Sequence, residues 1–260
     1  DALPICEAVE CFREALRLAS EGAPGTEARL ARWEYQLGEA EVGLGNLPRA
    51  RAALERAVAR LGHPVPGTKP GLAVGLLRSV GRQALNRLGP AAPAAPRPAK
   101  ERPALREASL AYLRLLETYF FLAGPLEAFS AALKALNLAE AAGPSPELAR
   151  GYALTGWLAS MIPQFQLSDL YLAKAAAVVA TPEGRPALQP VRFFTGFCRV
   201  AAGRWREGRE ALEEAVALAE RVGDKRRWIE AVCGFSTLMH YEGHFEQRVA
   251  NQERRIRQGL

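Results

Sequence analysis

The sequence predicts an all-α fold: a right-handed α-solenoid of antiparallel helix pairs with a period of about 40 residues. Three observations carry that expectation. The stretch "GNLPRARAALERAVARLG" at 45–62 returns in rhythm as "GRWREGREALEEAVALAERVG" at 203–223. Gly38, Gly45, Ala50, Leu54 and Ala57 stand at successive spacings of 7, 5, 4 and 3, and the same spacings recur from Leu116, Gly156 and Gly196. Those last three anchors are 40 residues apart, and one further step gives Ser236, with Gly243 in the turn position. Each position has a task. Small residues in the first helix and early in the second let the two approach closely. Glycine or proline between them ends one helix and permits the turn. The later leucine and alanine share one helical face and pack against the next unit.

Taken in order, residues 3–22 form a half repeat, with Ala8, Phe12 and Ala15 spaced as in a second helix alone. A solenoid unit cannot bury its faces without neighbours, so this half unit is expected to belong to something longer. A full repeat occupies 27–62. The pattern then lapses into an irregular helix at 70–89, with an apolar stripe through Leu72, Leu76, Val80 and Leu88, and a proline-rich linker at 89–103. Repeats at 105–142, 146–181, 186–222 and 225–258 follow. Their boundaries are punctuated. Gly143 suits a helix end, Ser145 a cap and Pro146 a first turn; Gly223 and Asp224 repeat the stop and the cap, and Thr181 with Pro182 the cap and the proline. The last helix, "FEQRVANQERRIRQGL", carries Arg248, Gln252 and Arg255 where earlier units place small or apolar residues. It reads as a polar cap or as a piece whose partner is missing.

These residues resemble the tetratricopeptide repeat pattern through Leu37-Gly38, Ala50, Leu54 and Ala57, and residues 1–260 read as one such domain. Two departures are plain. Glu34 stands where the family places a tryptophan, and the period of 40 exceeds the usual ~34, which implies longer helices. The stretches "ALKALNLAEAAGPSPELARGYALTGW", "RARAALERAVARLGHPVP" and "GDKRRWIEAV" are similar to the helical-repeat region of large bacterial signalling proteins. There a class III nucleotide cyclase or a protein kinase is followed by a regulatory ATPase and then by such repeats. That resemblance implies catalytic parts outside this chain, and it transfers no catalytic residue.

Bulk composition narrows the classes. Apolar residues make up 49% and charged residues 24% of the 260 residues, ordinary for a globular protein. No apolar run approaches the roughly 20 residues that span a bilayer, and the N-terminus lacks the basic and apolar regions of a signal peptide. Cys6, Cys11, Cys198 and Cys233 sit singly in apolar helical stretches, which fits a reducing cytoplasm. The net charge of +6 raises the alternative of a basic helical repeat that binds nucleic acid. Arginine is interleaved with glutamate along many helices, however, as a solvated surface would have it. Whether Arg204, Arg206, Arg226, Arg227, Arg254 and Arg257 share one face discriminates the two.

Chemistry is sparse. His240 and His244 stand four apart, but Gly243 interrupts them and the glutamate of a metalloprotease motif is absent. His63 lies in a loop before Pro64. No phosphate-binding loop and no nucleophile elbow occur. No catalytic site, metal or cofactor is therefore expected. What a helical solenoid offers is the groove lined by its first helices. Positions three before, one after, and four or five after the aligned small residue face inward. They select Tyr35, Glu39, Phe120, Phe121, Trp157, Met161, Phe193, Phe197 and Tyr241 as the partner-binding set, alongside Val42, Leu113, Glu117, Ala153, Ser160, Val200, Cys233, Thr237 and His240. A row of rings suits an apolar helix or an extended peptide. The partner is expected to be a protein or peptide, including another part of the same polypeptide. The competing use of each ring is plain packing between units.

Overall fold

The computed structural model describes residues 3–21, 27–88, 97–122, 124–246, 249, 250 and 253. Among them there are α-helices, one 3-10 turn at Arg185–Ala187, and no strand. The helices are α1 (Leu3–Glu21), α2 (Glu27–Gly43), α3 (Leu47–Arg60), α4 (Lys69–Leu88), α5 (Arg102–Phe121) and α6 (Pro125–Ala142), then α7 (Pro146–Met161), α8 (Phe165–Val179), α9 (Leu188–Ala201), α10 (Trp205–Val222) and α11 (Lys225–Tyr241). This is the all-α helical-repeat class that the sequence predicts. The chain forms two compact units, residues 1–147 and 148–260. Most of the proline-rich linker and of the last helix lies outside the described residues.

The repeat register is written into the turns. The backbone N–H of Gly124, Gln164, Arg204 and His244 donates to the carbonyl five residues back, on Tyr119, Ala159, Arg199 and Met239, at 2.8–2.9 Å. The acceptors are spaced by 40. Asn46 donates in the same way to Glu41 at 2.8 Å. Gly203, just before Arg204, has φ +75°, a left-handed conformation that a side chain disfavours.

Close approach follows the predicted small residues. A Cβ built on Gly38 would stand 2.7 Å from Leu54 Cγ, and one on Gly156 3.2 Å from the Ser168 carbonyl and 3.4 Å from Leu172 Cγ. The pairs α2/α3 and α7/α8 are therefore joined glycine to leucine. Between α5 and α6 the Ser109 hydroxyl donates to the Ala135 carbonyl at 3.0 Å, beside buried Leu113, Leu116, Ala132 and Leu136. Asp224 caps α11 by accepting from the Arg227 backbone N–H at 3.0 Å, directly after left-handed Gly223, as the sequence anticipates.

In the first unit α1 packs on α2 through Val9, Phe12 and Leu16 against Leu37, Ala40 and Leu44, and Arg13 pairs with buried Glu41. Glu34, in the tryptophan position, is also buried, and Arg56 of α3 grips it with two 2.9 Å hydrogen bonds. The contact between α2 and α3 at this position is an ion pair. Next, α3 packs directly on α5. The described residues between α3 and α5, 61–88 and 97–101, thus leave the α3/α5 contact intact. Their helix α4 lies on α6, where buried Gln83 donates to Asn137 Oδ1 and Glu140 Oε2, each at 2.7 Å. Of the predicted apolar stripe, Leu72 is buried while Val80 is exposed. The face turned to α6 is closed by an amide instead.

Candidate functional site

In the second unit the first helices α7, α9 and α11 carry a chain of rings. Trp157 meets Phe194 at 5.8 Å between centroids, Phe194 meets Phe193 at 5.2 Å, and Phe193 meets Phe197 at 5.0 Å. The last two contacts are edge-to-face, the arrangement that the ring quadrupole favours. A Cβ on Gly234 of α11 would stand 2.7 Å from Phe197 and 3.0 Å from Phe193. Both rings therefore also wedge α9 against α11. Trp157, Phe193 and Phe197 are partly buried, neither sealed in the core nor fully exposed.

The helix ends are more open. Met161 is 52% and Tyr241 63% exposed. Tyr241 stacks edge-on against Trp205 at 6.2 Å, and His240 lies 5.4 Å from Phe245. In the first unit Phe120 and Phe121 form an edge-to-face pair at 5.6 Å at the end of α5, with Phe121 71% exposed. Tyr35 lines a cleft of about 150 Å³ between α2, α3 and α5. Glu39 is committed elsewhere: with Glu117 it clamps the buried guanidinium of Arg114. Burial alone would discharge a cation, yet the two carboxylates hold Arg114 more firmly protonated than a free arginine.

Arg114, Phe194 and Gly234 escaped the sequence reading although the signal was present. They stand 40 residues apart in register, two before the aligned small residue, with Leu154 between the first pair. The position sits where neighbouring first helices meet, but its chemistry changes from guanidinium to ring to bare backbone, so no residue type repeats.

The described arginines of the discriminating set each have a carboxylate partner, although Arg227 also feels Arg150 and Arg226. Arg204 pairs with Asp169 at 2.8 Å, Arg206 with Glu210 at 4.0 Å, Arg226 with Glu230 at 3.2 Å and Arg227 with Asp224 at 3.2 Å. Arg254 and Arg257 lie outside the described residues. The described residues contain no group of three or more His, Cys, Asp or Glu side chains placed to hold a metal ion, and no helix among them is long and apolar enough to cross a membrane.

Fold and ring row define a helical repeat protein. Its solved relatives in shape include BtubC (BKLC) from P. vanneervenii, with a TM-score of 0.57 at 14% identity over 97% of this chain and 88% of that one. A Rap protein, solved as a complex with Competence and Sporulation Factor, matches with a TM-score of 0.57 at 13% identity over 98% of this chain and 64% of that one. At such identities the likeness is one of fold. No protein-family model and no curated protein matches the sequence.

Proposed function

We propose that the chain is a non-catalytic interaction module that holds a protein or peptide partner on the exposed faces of its first-helix rings. The single observation behind this reading is the unbroken ring contact from Trp157 through Phe194 and Phe193 to Phe197, only partly buried, with exposed Met161 one turn beyond Trp157. Rigid aromatic anchors give up little entropy on binding and dominate interface energetics. An apolar segment with anchors three or four residues apart fits such a surface. The Rap complex, a protein of like fold bound to a named factor, supports the same direction.

In the finer reading the module sits in the cytoplasm of a bacterium and biases a signalling domain, and its partner is a peptide or a neighbouring part of the same polypeptide. Nucleic acid is the weaker alternative, because the described discriminating arginines are already matched by carboxylates on their own or adjacent helices, which leaves fewer counterions to release.

A peptide-display selection against the chain tests the proposal. Selected peptides should be apolar at helical or alternate spacing. Trp157→Ala combined with Met161→Ala should weaken them at least tenfold while far-ultraviolet circular dichroism is unchanged. Selection of acidic or random peptides, or affinity untouched by the double variant, contradicts it.

A further inference from the structure

A second cavity of the first unit, about 220 Å³, lies between α4 with the Pro64–Pro66 loop and helices α5 and α6. It shares no residue with the ring row. Leu72 on α4 and the Pro64–Pro66 loop give it an apolar lining, to which Tyr112 and Tyr119 of α5 add their rings. Arg78 of α4 and Lys134 of α6 both line it, and neither forms an ion pair with any described residue. The charges that act on half-buried Lys134 are those of Arg82 and Arg78, so like repels like without a carboxylate between them. Nearby His63 adds no charge at neutral pH, since burial and Lys134 hold its pKa below the usual 6.5. Ser79 and Ser130 line the same space, and neither hydroxyl has a hydrogen-bond partner among the described residues. Glu127 lies seven residues before Lys134 on α6, hence about 10 Å away at the opposite end.

Unmatched cations, serine side chains and an apolar lining around one cavity make an anion site with room for a small body. We propose that this cavity binds a small organic anion, with its carboxylate or phosphate between Lys134 and Arg78, its body on Leu72 and the proline loop, and a hydrogen-bond donor toward Glu127. The volume suits molecules of a few carbon atoms. α4 and the Pro64–Pro66 loop are thereby given a use, as one side of a ligand site that repeats without them do not have.

Titration calorimetry of the full chain with inorganic phosphate, succinate and glycerol 3-phosphate, at constant ionic strength set by chloride, is the test. Saturable binding is expected, tighter for the probes with a carbon body than for inorganic phosphate. Preference between succinate and glycerol 3-phosphate decides whether carboxylate or phosphate is the head group. Lys134→Met should weaken binding at least tenfold and, by removing a repelled charge, raise the melting temperature of the ligand-free chain. Arg78→Gln, on the more exposed helix, should weaken binding without loss of fold. Binding that does not saturate, or that both variants retain, overturns the proposal. So does a Lys134→Met chain less stable than the parent without ligand, since the lysine would then be structural.

Discussion

A Cβ added to Gly196 would stand 2.5 Å from Cγ of Leu212 and 3.1 Å from the Gly208 carbonyl. Real Cβ atoms essentially never show the first distance, and the second is tight against backbone that cannot swing aside. The contact joins α9 to α10 at the position where α2 meets α3 through Gly38 and Leu54, so the hairpin seam is built on an absent side chain.

Gly196→Leu should therefore separate α9 from α10 and destabilise the second unit by about 1–3 kcal/mol or more, through overpacking. Thermal denaturation should show a melting temperature lower by several degrees. Leu212→Ala in the same background should recover part of the loss, because it removes the atoms that clash. An unchanged melting temperature in Gly196→Leu would mean that the seam lies elsewhere.

Arg114 is buried between Glu39 and Glu117, both of them about a quarter exposed. Arg114→Met strands two carboxylates beside each other and should cost about 2–3 kcal/mol, less than a fully buried pair would. The triple change Arg114→Met, Glu39→Gln, Glu117→Gln should restore most of it. Urea denaturation of the four combinations measures the coupling, and additive losses would show that the cluster is not a unit.

Gln83 reaches both Asn137 and Glu140. Gln83→Leu leaves polar groups of α6 without that amide and should cost about 1–2 kcal/mol. Hydrogen exchange should accelerate along Lys69–Leu88 while α2 and α3 keep their protection. Uniform acceleration throughout the first unit would show that α4 is part of its core and not an added layer.

His63 has its pKa lowered, first by burial and then by Lys134. Below about pH 6.5 the unfolded chain thus binds a proton that the folded chain resists. Stability should fall as the pH drops from 7 through 6.5 and below, by at most about 1.4 kcal/mol per pH unit from this group. His63→Gln should flatten that part of the profile. A profile identical in parent and variant would remove His63 as its cause.

The hairpin register was legible because close helix approach demands small residues, and Gly38, Gly156 and Gly196 satisfy that demand at visible spacing. Caps and stops at Gly223 and Asp224 were legible for the same local reason. The fate of α4 was not: a helix pattern shows which residues share a face, never which distant helix covers it, and Gln83 broke the apolar rule at the contact. The ion pairs of Glu34, read at the tryptophan position, and of Glu39, read as a groove residue, were not legible because their partners, Arg56 and Arg114, lie 22 and 75 residues away. Of the ring row, the sequence placed Trp157, Phe193 and Phe197 on first helices, while Phe194 and Gly234 required the neighbouring helices to be seen side by side.

The central claim is that the open faces of the first-helix rings receive the partner, and Trp157 can report on it directly. With Trp33, Trp205 and Trp228 changed to phenylalanine, Trp157 becomes the lone indole, and its emission can be followed while a selected apolar peptide is titrated in. Saturable blue shift and protection from acrylamide quenching, with the same midpoint as calorimetry, is the predicted result. Calorimetric binding of that peptide with no change in Trp157 emission or quenching would contradict the account.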